Sequence, residues 1–349
     1  MVDGGAWRAA VAFPHEDAMN LAVTERGPAL LDDALVCDMT MPWTAYGRAE
    51  LRRRSLPRMK ESGFDLVSLT LAADVQSQID VLKSCARERR SFALQPELYR
   101  LIDGVDDILA AKRDGVLALS FNIQGTNALA GNIDMVGLFY DLGVRHMLLA
   151  YNKKNLVGDG CHERTDSGLS HFGIELIEEM NRVGMMVDCS HTGYRSSMEA
   201  MEVSNVPVIF SHSNPRALWE HDRNIRDDQA KACAATGGLV GVNGVGIFMG
   251  DNDASTAMLF RQIDYYAGLI GTEHIGFGLD FVYDTDAMRH SMADMKSPAK
   301  GNYDKMTAFF QPEQLPELVD LMLARGYPEK AIRGILGENF LRVARQVWR

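Results

Sequence analysis

Short, almost unbroken apolar runs recur along the chain, each followed by a stretch with helical spacing of its apolar residues. Ala34–Met39, Phe64–Ala72, Val116–Ile123, Val144–Tyr151, Met185–Cys189, Val206–Phe210, Leu239–Gly244 and His274–Gly278 read as eight strands. Runs such as FDLVSLTLA and VLALSFNI do not alternate apolar with polar, which suits parallel strands covered by helices on their outer face. Between them, Arg48–Ser62, Val75–Arg90, Pro96–Arg113, Ile133–Leu142, Gly173–Val183, Gly193–Val203, His221–Thr236 and Ala254–Ile270 read as helices. Gly237-Gly238 is placed to end one of them. The tail Pro312–Gln346 reads as two helices parted by Gly326-Tyr327-Pro328. Eight strands alternating with helices over 349 residues predict an α/β fold of the (β/α)8 TIM-barrel type. An open doubly wound sheet is the alternative, but no GxGxxG follows the first strand. No repeat, linker or low-complexity segment divides the chain. Residues 1–349 therefore read as a single barrel domain, with an N-terminal lead-in over 1–33 and C-terminal helices within 312–346.

Composition narrows the function without touching the fold. A net charge of −11 argues against a nucleic-acid surface, so Arg52-Arg53-Arg54 and the basic residues of Arg87–Arg90 read as solvated helix faces. The five cysteines are scattered, odd in number and without CxxC spacing, which suits a reducing compartment. The N-terminus lacks the apolar core of a signal peptide, and no run of about 18 apolar residues offers a bilayer span. The expectation is a cytoplasmic protein that acts on a small molecule, with no nucleic-acid and no membrane partner; homo-oligomerisation is left open. The nineteen methionines, spread along helices and strands, read as core filler.

The chemistry concentrates in Met185–Asn214. Two consecutive strands there each end in Ser-His, Ser190-His191 and Ser211-His212, with a short helix between them. In a parallel crossover both strand ends open on one face, so two imidazoles are expected in one crevice, the pattern of a metal site. Reading the other strand ends in a barrel adds Asp38, Thr40, Thr70, Gln124, Tyr151, Asn243 and Asp280. Asp280, reached through Gly276 and Gly278, could bind metal or take a proton from water. The glycine-flanked loop Gly158-Asp159-Gly160-Cys161-His162-Glu163 lies on the same face and offers His162 and Glu163 as further ligands, with Asp38 another. His171 reads as a helix-start residue, and His146 and His274 as lying away from the site.

Several segments together resemble the renal or membrane dipeptidase family of zinc peptidases. They are Gly143-Val144-Arg145-His146, Gly168-Leu169, Phe172-Gly173, Met180-Asn181-Arg182, Asp188-x-Ser190-His191, Pro207 to Ser213, Arg223-Asn224-x-x-Asp227-Asp228 and Leu336-Gly337-x-Asn339-Phe340-x-Arg342-Val343. The resemblance covers roughly residues 30 to 345. It implies an amidohydrolase-like barrel with two zinc ions and hydrolysis of small dipeptides whose carboxylate an arginine holds. It makes His191 and His212 ligands of the second zinc, Asp280 the aspartate of the last strand, and Arg223, beside Asn224, the carboxylate-binding arginine. The family's His-x-Asp on the first strand reads Asp38-x-Thr40 here, its bridging glutamate falls on Gln124, its substrate-facing histidine on Tyr151, and Asp-Phe-Asp-Gly reads Asp280-Phe281-Val282-Tyr283.

These departures have a physical consequence. A ligand bridging two cations must carry negative charge to offset their repulsion, and a glutamine amide has none. The expectation is thus a dipeptidase-like metal-dependent hydrolase with an altered site holding one zinc rather than two, or another divalent ion. Its expected substrate is a dipeptide or similar amide whose carboxylate pairs with Arg223, with Gln124 and Asn224 also facing it, and Asp280 and Tyr151 as catalytic groups. The alternatives are a lyase or isomerase of the same fold with Tyr151 and Asp280 as acid and base, or a binding protein depleted of metal.

Overall fold

The computed structural model describes residues 26–43, 49–288 and 307–349. Residues 1–25 of the expected lead-in lie outside them; its described end is a helix, Arg26–Asp33. Nine parallel strands follow: β1 (Cys37–Pro42), β2 (Leu66–Ala73), β3 (Tyr99–Leu101), β4 (Leu117–Gln124), β5 (Val144–Leu148), β6 (Met186–Asp188), β7 (Ile209–Phe210), β8 (Leu239–Val242) and β9 (Ile275–Phe277). β1 pairs with β2 on one side and with β9 on the other, and β2 pairs directly with β4. Eight strands therefore close into a barrel, and β3 stands outside the ring.

The closure follows from the side chains. Every residue of β1 and β4 is buried, as the two-sided apolar runs demand. Helices such as Gln78–Ala93, His171–Val183 and Thr256–Ile270 cover the outside, each with a serine N-cap accepting a backbone N–H in its first turn. At the strand starts, Leu35, Met39, Leu66, Met186, Ile209 and Leu239 form one apolar cluster with Phe340, Leu341, Val343 and Ala344 of the last helix, Asn339–Val347. That helix fills the N-terminal end of the barrel and leaves the strand C-termini for polar groups. Among the described residues no helix is long and apolar enough to cross a membrane.

The structure corrects the sequence expectation in four places. Pro96–Arg113 is not one helix: Tyr99–Leu101 is a strand, and only Val105–Arg113 is helical. Half of one edge of β4 makes this possible. β5 bonds β4 only from Phe121 onward, which leaves Leu117–Leu119 for β3. The helix expected over His221–Thr236 is confined to Asp227–Ala235, and residues 221–225 form a loop. Val206–Phe210 contributes only two strand residues, because Pro207 has no N–H to give a ladder. His146 lies within its strand but is buried in the barrel, linked to the site rather than apart from it.

Candidate active site

One carboxylate organises the two Ser-His turns. Asp188 is fully buried at the end of β6; its Oδ1 accepts the backbone N–H groups of Ser190 (2.9 Å) and Ser211 (3.1 Å). Its Oδ2 lies 3.0 Å from His146 Nδ1, and His146 Nε2 reaches the Met39 carbonyl at 3.0 Å. Burial pushes Asp188 up, but the bond and charge of His146, the charge of His212 and the Ser211 bond outweigh it and bring its pKa down to about 2. A fixed anion beneath two turns holds both in register. Glycine lets the neighbouring strands approach: a Cβ at Gly241 or Gly278 would overlap the Ser211 carbonyl.

The turns bring the two imidazoles together. His191 Nε2 and His212 Nε2 face each other at 3.0 Å. His191 Nδ1 is 2.7 Å from the Asn152 side-chain oxygen, and His212 Nδ1 is 2.6 Å from Ser211 Oγ and 3.3 Å from Thr40 Oγ1. With each Nδ1 taken, each ring turns its Nε2 into the site. Burial, then the charge of Arg223, holds both pKa values well below the ordinary imidazole range, so both rings are neutral at pH 7. The Tyr151 ring stacks on His191 with centroids 4.3 Å apart. His191 (φ 61°) and Asp280 (φ 56°) both have left-handed backbone, a cost of roughly 1–3 kcal/mol each that the surrounding hydrogen bonds must hold. Cys161 N bonds the His191 carbonyl at 2.8 Å, and Asp280 N bonds the Thr40 carbonyl at 3.0 Å.

Two carboxyl groups flank the pair. Asp280 Oδ2 accepts from Asn243 Nδ2 at 3.3 Å. Burial raises its pKa to about 6 against the lowering pull of Arg223 and Asn243. Asp38 Oδ1 accepts from Leu279 N (2.9 Å) and Thr40 N (3.2 Å), while its buried Oδ2 has no partner among the described residues. Burial drives Asp38 up to about 7, opposed by those two N–H groups and assisted by Asp280. Gln124 is buried at the end of β4 and donates weakly to Thr70 Oγ1 at 3.5 Å.

Arg223, a buried residue of the loop 221–225, donates to the His212 carbonyl at 3.1 Å and lies 5.4 Å from the Phe248 ring centroid. Its Nε and the Oδ1 of Asn224 are buried without a partner among the described residues. Beside them opens a cavity of about 160 Å³ lined by His191, Tyr194, Arg216, Arg223 and Asn224, among others. Glu163 stands at this cavity, but its oxygens accept the Lys154 and Arg164 backbone N–H groups. His162 is buried on the same loop. Among the described residues no three His, Cys, Asp or Glu side chains are arranged around a common metal position.

Asp74, at the end of the second strand run, is a site residue that the sequence reading passed over. Its Oδ2 accepts from Tyr151 N (2.9 Å) and Asn155 Nδ2 (3.0 Å), and its Oδ1 from Asn127 N (2.9 Å). It thereby fixes the loops that carry Tyr151 and Asn152. Its place directly after LTLAA was the available signal.

Polar groups gathered at the C-terminal mouth of a closed parallel barrel, with facing imidazoles and a nearby carboxylate, define an amidohydrolase-like barrel. A solved amidohydrolase from Pseudomonas aeruginosa is 31% identical, with a TM-score of 0.85 over 92% of this chain and 99% of that one. The chain belongs to the membrane dipeptidase family (peptidase family M19), whose model matches residues 28–349. An uncharacterized dipeptidase of Schizosaccharomyces pombe is 32% identical over 78% of this chain and 62% of its own length. Dipeptidase 3 of Mus musculus is 30% identical over 94% of this chain and 60% of its own. The chain thus spans about three-fifths of the length of these curated relatives.

Proposed function

We propose that this chain hydrolyses a small amide bearing a carboxylate, a dipeptide or an N-acyl amino acid, at a single metal ion held by His191 and His212. The observation that carries the reading is the facing pair of Nε2 atoms 3.0 Å apart, each ring fixed through its own Nδ1. Both Nε2 atoms turn into the site side by side, so the two rings would hold one divalent ion between them. The groups around it do not fit a second ion. Thr40 Oγ1 lies against His212, Gln124 brings no charge to a bridging position, and Asp38, its Oδ1 committed to two backbone N–H groups, has only its unpartnered Oδ2 left to offer. When bound, the ion supplies Lewis-acid polarisation of the scissile carbonyl.

The chain's own groups do the rest. Arg223 pairs the substrate carboxylate and fixes which amide faces the histidines. Asp280, ionised above pH 6, accepts a proton from the attacking water and returns it to the leaving amine. Tyr151, stacked on His191, keeps that ring in place and shields one face of it from bulk water. The dipeptidase names of the relatives support this substrate class, and the cavity of about 160 Å³ suits a molecule of dipeptide size.

Three expected outcomes follow. Because the base must be ionised, kcat/KM should fall about tenfold per pH unit below pH 6 and level off above it; Asp280→Asn should abolish that limb. A pH–rate profile with no break between pH 5 and 7 would remove Asp280 from this role. Gln124→Glu, which adds a carboxylate without its first-strand partners, should lower activity and leave metal content unchanged. The triple variant Asp38→His, Thr40→Asp, Gln124→Glu should raise zinc content towards two per chain. Steady-state rates together with metal analysis of the purified proteins decide the two variant outcomes; a Gln124→Glu protein with unchanged rate would make Gln124 a bystander.

A further inference from the structure

The glycine-flanked loop that carries Cys161 and His162 acts on the site through its backbone. Cys161 N donates to the His191 carbonyl and His162 N to the Asn152 carbonyl, both at 2.8 Å. Gly160 pairs with Thr192 in an antiparallel bridge, and a Cβ at Gly160 would overlap the Asn152 backbone. Two successive N–H groups of one loop thus clamp two residues that lie 39 positions apart in the chain. Between the clamped residues runs a single side-chain bond, His191 Nδ1 to Asn152 Oδ1 at 2.7 Å.

Asn152 makes that bond from a costly conformation. Its φ is 63°, and Lys153 N bonds the Tyr151 carbonyl at 2.6 Å, so a three-residue turn is centred on it. A turn of this kind with positive φ at its centre is rare and strained. Asp74 Oδ2 pins the start of the turn by accepting Tyr151 N at 2.9 Å. The turn grips the His191 ring twice, by its face through the Tyr151 stack and by its edge through Asn152. Cys161 Sγ, 3.4 Å away, donates to the same Asn152 oxygen. With two donors converging on it, Oδ1 is the acceptor, so His191 carries its proton on Nδ1 and presents a lone pair on Nε2. His212 has no such partner: its Nδ1 faces the hydroxyls of Ser211 and Thr40, which can donate or accept.

We propose that Asn152 is a positioning residue that locks His191 in the tautomer able to give Nε2 to a metal ion, and that the strained turn at Tyr151–Lys153 serves to place it. This rests on the reading of His191 as a metal-holding residue. A metal-ligating imidazole passes its other N–H to an acceptor that fixes ring and tautomer, and losing that acceptor costs roughly 10–100-fold in metal affinity. The same proposal gives the loop of Cys161 and His162 its part, as the clamp that keeps acceptor and ring in register.

The test is zinc binding to metal-stripped protein at pH 7, read by competition with a chromophoric chelator, which needs no turnover. Asn152→Gly removes the acceptor while glycine takes up positive φ without strain, so the fold is kept. It should weaken zinc binding about 10- to 100-fold. Asn152→Asp keeps an oxygen acceptor at the same place and should bind zinc at least nearly as tightly as wild type. Nitrogen-15 NMR of the metal-free proteins adds a readout that a purely structural role would not move. It should show His191 protonated on Nδ1 in wild type and in Asn152→Asp, and a mixture of tautomers in Asn152→Gly. Equal zinc affinity in wild type and Asn152→Gly, no rescue by Asn152→Asp, or a wild-type His191 protonated on Nε2 would each overturn the inference and leave the metal reading standing. Wild type that binds no zinc would overturn the metal reading and the inference with it.

Discussion

His212→Ala is expected to leave a folded protein with almost no activity and little retained metal. Removing only an outer partner of a metal-ligating histidine costs roughly 10–100-fold, and this change removes one of the two facing nitrogens themselves. The loss in kcat/KM should therefore exceed ~100-fold. His212 is fully buried, and Ser211 Oγ and Thr40 Oγ1 both lean on its Nδ1. The variant should lose about 1–3 kcal/mol of stability through those unpaired hydroxyls, which is too little to unfold a typical domain. Circular dichroism at 25 °C checks the fold, and metal analysis with steady-state kinetics checks the site. Activity within a few-fold of wild type would place the chemistry elsewhere.

The second large effect is on binding. Arg223→Lys replaces a planar fork with a point charge, and the lysine cannot reproduce both the bond to the His212 carbonyl and a paired approach to a carboxylate. Charge-assisted hydrogen bonds contribute about 1.5–3 kcal/mol, so KM for a carboxylate-bearing substrate should rise roughly 10- to 100-fold. Metal content should stay constant, since Arg223 touches only the backbone oxygen of His212. Among the described residues Arg223 forms no ion pair with the aspartates that follow it in sequence: Asp228 accepts from Tyr194 OH and Asp227 from Tyr265 OH. Unchanged kinetics on an acidic substrate would remove Arg223 from the site.

The barrel was legible because its strands are buried on both faces and so read as unbroken apolar runs, FDLVSLTLA above all. The facing imidazoles were legible because Ser-His recurs at two consecutive strand ends, and parallel topology places such ends together. What escaped depends on partners distant in sequence. Tyr99–Leu101 is a strand only because β5 leaves part of the β4 edge free, a fact no local propensity carries. Residues 221–225 look helical, but the loop is pinned instead by Ile225 N bonding the Asn214 carbonyl (2.9 Å) and Asn224 Nδ2 bonding the Phe248 carbonyl (2.8 Å). His146 reads as a strand residue, and only the closed barrel brings it to Asp188 across 42 positions. Glu163 reads as a ligand by composition, yet its carboxylate is used by two backbone N–H groups of its own loop. Buried polar networks are set by tertiary geometry, and the sequence shows their members without their pairing.

The central claim, one metal ion on His191 and His212, is tested most directly by metal content per chain in protein purified without chelators. On this proposal about one equivalent of a divalent ion is predicted, falling towards zero in His191→Ala as in His212→Ala, because a catalytic zinc usually takes three protein ligands and cannot spare either of the proposed two, and Gln124 offers no bridging charge. Two equivalents of zinc in the wild-type protein, both retained in Gln124→Ala, would contradict it.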